Sequence, residues 1–309
     1  MTRAAEARGG AALPEGWARV SVDGPGPFVT KEVLRAPDGT LVQRRSRRHR
    51  KADTGGRTGV WWRPDRLAWW MGVLFAVGST CFAVAAIASQ WASASRPAIG
   101  ITYFVGSVFF TAAGYLQYSE AVNVEHGPMR GPRRWRPLSW EPRRIDWLAS
   151  AIQLAGTVLF NISTFEAMRR GFDVHQTNRR VWAPNAFGSI CFLLASELAY
   201  AEVCHRWVCL RARSLSWRIV ALNLAGSVAF GVSAVTSLIE PSTAEPVSAA
   251  IANAGTAAGA LCFLAGAILL IPEAARAEDP GSSAPDDAAR RPQRSDALAS
   301  PPPTEESST

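Results

Sequence analysis

Lysine is nearly missing from this chain. Of 33 basic residues among 309, only Lys31 and Lys51 are lysines, and arginine supplies the rest. The net charge of +8 is therefore a weak pointer to nucleic acid, because alanine- and arginine-rich, lysine-poor composition is what GC-rich coding sequence produces. Charge of either sign is absent from long stretches. No Lys, Arg, Asp or Glu occurs in Leu67–Ser95, Pro97–Ser119, Trp147–Phe165, Val181–Ser196, Ile219–Ile239 or Val247–Pro272, and the fourth stretch continues past Glu197 to Ala201. A helix crosses the hydrocarbon with about 20 apolar residues, so six spans are expected. The mean hydropathy of +0.03 averages these spans with two polar tails. A soluble enzyme, a collagen-like chain and a fully disordered chain are excluded. Cysteine is also sparse: Cys81, Cys191, Cys204, Cys209 and Cys262 show no zinc-ribbon spacing and lie in or beside the spans. They read as small apolar packers and not as a secreted disulfide framework. No secretory signal is visible, since residues 1–20 lack a continuous apolar core and Leu67 onward would direct insertion.

Residues 1–66 form a basic segment. Its first 27 residues, rich in Gly, Ala and Pro, are expected to be disordered. A β-hairpin is expected at 28–44, where two β-prone runs flank Pro37-Asp-Gly-Thr40. The basic run from Arg44 to Lys51 fits attraction to anionic lipid, at about 1 kcal/mol per basic residue, better than nucleic acid. Residues 274–309 carry no periodicity and are expected to be a disordered tail. Basic residues concentrate before span 1 and in the 2–3 and 4–5 loops, which places both termini in the cytoplasm of a multi-pass cell-membrane protein. The 3–4 loop disagrees, because Arg169, Arg170, Arg179 and Arg180 fall on the outer side.

Every span carries Gly, then Phe four residues on, then a small residue at seven: Gly78, Phe82, Ala85; Gly106, Phe110, Ala113; Gly156, Phe160, Ser163; Gly188, Phe192, Ala195; Gly226, Phe230, Ser233; and Gly259, Phe263, Gly266. Offsets of four and seven share one helix face, and small residues let helix backbones approach in lipid. Nine residues before the Gly, the odd spans carry Trp69, Trp147 and Trp217, expected in an interfacial aromatic belt. Fourteen after it, the even spans carry Glu120, Glu202 and Glu273. The expected fold is all-α: six transmembrane helices as three antiparallel hairpins at 67–119, 147–204 and 217–273. Self-association through the small-residue faces is a further expectation.

The run Trp182-Ala-Pro-Asn-Ala-Phe-Gly-Ser-Ile-Cys-Phe-Leu-Leu-Ala-Ser-Glu197, preceded by the Gly156–Phe165 helix, resembles the YrhK-like family of uncharacterised bacterial membrane proteins. The resemblance covers about 145–205. It implies a two-helix membrane unit and supplies no catalytic residues.

Chemistry is thinly supported. Glu197 lies within the fourth span, where carboxylates are costly and mark ion or proton sites. Asn161, Asn223 and Asn253 suit interhelical hydrogen bonds. Glu202, Cys204, His205 and Cys209 fall within eight residues but match no common metal spacing, so His205 reads as a solvated interfacial side chain. No phosphate loop or nucleophile elbow occurs; no catalytic residue, cofactor or metal is expected. Scarce midplane charge favours a non-enzymatic membrane scaffold or interaction protein. The alternative is a small secondary transporter or channel using Glu197 and the intramembrane asparagines.

Overall fold

The computed structural model describes residues 13, 15–47, 62, 64–91, 93, 95–123 and 135–276. The tail beyond 276, His126, and Arg48, Arg50, Lys51, Arg57, Arg63, Arg130, Arg133 and Arg134 of the expected basic segments lie outside the described residues. Six helices are long and apolar enough to cross a membrane: α1 (Leu67–Ala88), α2 (Arg96–Asn123), α3 (Ile145–Ala167), α4 (Val174–Cys204), α5 (Leu215–Thr236) and α6 (Ala249–Arg276). The chain is a polytopic membrane protein. Its helices expose Val84, Ile101, Val108, Ile162, Leu194 and Val235, an apolar exterior that water does not tolerate and lipid does.

A small sheet precedes them: β1 (Ala18–Asp23), β2 (Lys31–Arg35) and β3 (Leu41–Arg45), antiparallel in that order. The expected hairpin at 28–44 is thus the β2–β3 part of a three-stranded sheet. Its turn is closed by Ala36 N–H donating to Thr40 O (2.9 Å), with Gly39 at φ +85°, a conformation cheap only for glycine. The expectation of disorder through residue 27 fails at β1. Val20 and Val22 give that short run strand propensity, and Arg19 and Glu32 pair across β1 and β2 at 3.3 Å. The Gly, Ala and Pro around it hid the signal.

Each helix packs against its chain neighbours, and α6 packs back on α1, so the six close into a ring. Within each consecutive pair the helices touch at glycine. An added Cβ on Gly78 would lie 3.0 Å from Gly106 O, one on Gly156 3.1 Å from Gly188 O, and one on Gly226 3.0 Å from Gly259 O. Between pairs, hydroxyls and amides make the contact. Ser107 Oγ donates to Asn161 Oδ1 (2.7 Å) between α2 and α3, and the Ser196 and Ser227 hydroxyls meet at 2.8 Å between α4 and α5.

The six phenylalanines four residues beyond these glycines form one buried cluster. Their ring centroids make two triangles. Phe82, Phe160 and Phe230 from the odd helices stand 6.0, 6.1 and 6.3 Å apart. Phe110, Phe192 and Phe263 from the even helices stand 5.7, 6.3 and 6.4 Å apart. Three closer contacts, at 5.2, 5.0 and 5.3 Å, join the triangles, one within each helix pair. Tilted and edge-on rings at such distances are favourable beyond simple burial.

Contacts among the loops separate the ring's two ends. Asn178, in a π-helical turn of α4 (Asn178–Trp182), exchanges hydrogen bonds with Ile239 of the α5–α6 loop (2.7 and 3.1 Å). At the other end Thr30, just before β2, meets His205 at the end of α4, and Arg47, just after β3, meets Glu273 at the exit of α6. The arginine-bearing α3–α4 loop is therefore at the end away from the sheet.

Candidate functional site

Because α2, α4 and α6 all run toward the sheet, their exit carboxylates Glu120, Glu202 and Glu273 arrive at one end of the ring. They are only 3, 2 and 7% exposed. Carboxylates this deep require partners, since an isolated buried charge is prohibitively costly. The segment after β3 supplies two of them. Ser46 Oγ donates to Glu202 Oε1 at 2.6 Å. The Arg47 guanidinium donates to both oxygens of Glu273, from Nε at 3.1 Å and Nη2 at 2.8 Å, a two-point geometry that fixes orientation as well as charge. The basic run expected to meet lipid thus turns Arg47 inward.

Beneath Arg47 lies a cavity of about 70 Å³ whose walls include Glu120, Glu202, Asp146, Gln117, Gln153 and Asn223. At roughly 10–15 Å³ per water it has room for a few waters. Asp146 is paired with Arg144 (Nη2 to Oδ2, 2.7 Å), whose guanidinium also donates to Ala121 O (2.6 Å) and so ties α3 to the exit of α2. The apolar wall includes Phe75 and Phe263. Phe263 belongs to the six-ring cluster, so the cavity ends where the rings begin.

The sheet is anchored through Thr30, which is 1% exposed. Its Oγ1 lies 2.8 Å from Nδ1 of His205, and its carbonyl accepts from Ser46 N–H at 2.9 Å. His205 ends α4 in the left-handed region at φ +58°. Burial, then the charges of Arg45 and Arg211, hold its pKa down at about 4, with Lys31 adding to them and Asp23 opposing. The ring is neutral at neutral pH. The expectation of a solvated His205 is corrected: the sheet covers the ring and bonds to it.

Cys204 and Cys209 are joined by a disulfide, which corrects the reading of all five cysteines as packers. Cys81, Cys191 and Cys262 are free and do pack. Their Cβ atoms lie 2.8, 2.9 and 3.2 Å from where a side chain on Gly106, Gly156 or Gly226 would begin. The Cys209 carbonyl accepts from Tyr200 Oη and from Trp217 Nε1 (3.1 Å). The same clamp stands one pair earlier, where Ser139 O accepts from Tyr118 Oη (2.8 Å) and Trp147 Nε1 (3.0 Å). Trp69 and Trp147 are buried. These tryptophans brace the ring's end instead of forming the expected interfacial belt. The available signal was tyrosine two residues before Glu120 and Glu202.

Glu197 is half-buried and does not line the cavity, because it sits on the face of α4 opposite Gly188. Asn161 serves interhelical bonding, donating to Thr111 Oγ1 and accepting from Ser107. Asn223 does line the cavity, and Asn253 is half-buried in α6. Among the described residues, no group of three or more His, Cys, Asp or Glu could hold a metal ion. No protein-family model, no curated protein and no solved structure matches this chain.

Proposed function

We propose that this chain is a non-enzymatic membrane scaffold: three like hairpins closed into a sealed ring that holds the N-terminal sheet against the cytoplasmic face of the cell membrane. The observation that carries the reading is the double triangle of phenylalanines, which fills the ring's axis. Glu202, Glu273 and His205 at the sheet end serve to hold the sheet. Three equivalent glycine contacts, and the likeness of 145–205 to YrhK-like two-helix units, support one hairpin used three times. The cytoplasmic placement rests on arginine, which crowds the sheet end at Arg45, Arg47, Arg66, Arg136, Arg143, Arg144, Arg206, Arg211, Arg213 and Arg218. At the other end Arg169 and Arg180 are drawn onto Glu166 (3.1 and 3.8 Å) and stack over Phe172, which lowers the cost of moving that loop across. The outward arginines of the α4–α5 loop suit anionic headgroups. Self-association is not part of the proposal, because the glycine faces are used within one chain.

One observation favours a second reading, a gated path for small cations. The cavity is acidic, and the chain's own guanidinium sits in its wall. Flux measurements separate the two. Full-length protein reconstituted in sealed vesicles is expected to pass neither Na+, K+ nor H+ down an imposed gradient. Flux through the wild-type protein above that of empty vesicles would overturn the scaffold and establish the gated path.

A further inference from the structure

We propose that the Cys204–Cys209 bond is a reversible redox latch that keeps the N-terminal sheet docked on the ring. The inference rests on the cytoplasmic placement of that end, argued above. Disulfides are rare in the reducing cytosol, and those that occur there are usually transient and redox-sensing.

The latch belongs to a closed circuit of contacts. Cys204 is fully buried at the end of α4, and Cys209 is fixed through its carbonyl by Tyr200 and Trp217. The disulfide ties these two points together and confines His205, the residue between them nearest the helix, to a left-handed turn that a side chain rarely adopts. In that turn Nδ1 meets Thr30 Oγ1 at 2.8 Å. Thr30 O holds the Ser46 amide at 2.9 Å, and Ser46 Oγ holds Glu202 at 2.6 Å, two residues before Cys204. Every link from the disulfide to the sheet and back to α4 is one contact long. Without the covalent tie, His205 relaxes out of the left-handed region, Thr30 loses its contact with the end of α4, and the sheet's hold on the ring weakens.

The chemistry is thiol–disulfide exchange with a dithiol reductant. A reductant thiolate attacks Sγ of half-buried Cys209, and Cys204 leaves as a thiolate that takes up a proton. The reductant's second thiolate then attacks its own sulfur in the mixed disulfide, releasing the Cys209 thiolate, which is protonated in turn. Two electrons and two protons pass to the protein, and the reductant ends as its disulfide. The same steps reversed, with that disulfide as oxidant, close the latch.

The test uses the full-length protein in lipid nanodiscs. Diethyl pyrocarbonate modification of His205 is followed by mass spectrometry before and after treatment with dithiothreitol, and alkylation confirms both thiols free. Reduction is expected to raise the His205 modification rate at least tenfold, and reoxidation with oxidised glutathione, after removal of the dithiothreitol, to restore protection. The double variant Cys204→Ser, Cys209→Ser should react at the reduced rate with or without reductant, while a melting curve matching that of reduced wild type shows the ring intact. An unchanged His205 rate in protein whose thiols are free overturns the latch. Orientation is read separately, by alkylating reduced whole cells with a membrane-impermeant maleimide. Labelling of Cys204 or Cys209 only after permeabilisation upholds the placement. Labelling in intact cells overturns the placement, and the latch with it.

Discussion

A histidine in a left-handed turn, covered by a sheet and surrounded by arginines, has a definite response to acid. His205 titrates at about 4 against an ordinary 6.5, so the docked form resists the proton that the undocked form accepts. Between those values undocked protein binds more protons than docked protein, and docking weakens as pH falls from about 6.5 toward about 4. The groups around the ring are Arg45, Arg211 and Lys31, which oppose its protonation, and Asp23, which favours it. Hydrogen exchange at the Ser46 amide, normalised to its intrinsic rate, should report the loss, since that amide is held by Thr30 O. Protection in wild type is expected to fall across this window. His205→Asn should keep protection nearly level, because asparagine tolerates the left-handed turn and offers Thr30 Oγ1 a side-chain amide that hydrogen-bonds without titrating. A wild-type profile as flat as that of the variant would show that His205 does not govern docking.

At the scale of helices, what the sequence makes legible is what a periodicity encodes. Offsets of four and seven put Gly and Phe on one face wherever the chain is helical, so the face of Gly156 and Phe160 could be read without coordinates. The exit glutamates were legible by the same counting, and so was their arrival at one end, given alternating helix directions. Their partners were not. Arg47 looked like one more member of a basic run, and only the path of the chain after β3 brings it to Glu273. The tryptophans misled for a related reason: Trp147 and Trp217 each clamp a loop carbonyl eight residues earlier, and no spacing rule places a loop. Cys204 and Cys209 stand five apart across a helix end, a separation that becomes a bond only through the turn at His205. The glycine contacts yield a direct prediction. At Gly156 even a Cβ would sit 2.9 Å from Cys191 Cβ, so Gly156→Leu must push α3 off α4, at a cost of about 1–3 kcal/mol or more. Leu193 on the outer surface is 37% exposed, and Leu193→Phe should be tolerated within about 0.5 kcal/mol. Melting curves in one detergent should therefore show Gly156→Leu well below wild type and Leu193→Phe beside it. Equal melting of the two variants would remove the glycine faces from any account of the ring.

For the molecule as a whole, orientation decides what the sheet and the latch can meet. Two kinds of observation bear on it and pull apart at one loop. The ring's connectivity puts the sheet, the α2–α3 loop and the α4–α5 loop on one side, and the α3–α4 loop with Arg169, Arg170, Arg179 and Arg180 on the other. Positive residues resist crossing, and the strongest bias near the first spans usually dominates. The α3–α4 loop is partly neutralised by Glu166 and, through the capping box at Asp173 and Gln176, folded tightly onto the start of α4. The sheet end holds more arginine, and acidic residues count for little in the orientation bias. We therefore expect the sheet inside and Gln176 outside. In a background with Cys81, Cys191 and Cys262 changed to Ala and Cys204 and Cys209 to Ser, Gln176→Cys should react with a membrane-impermeant maleimide in intact cells. Asp38→Cys, at the exposed β2–β3 turn, should react only after permeabilisation. The reverse pattern would turn the whole ring over and expose the sheet to the outside. Labelling of both positions from outside would break the alternation itself, and the closed ring of six crossing helices could not survive it.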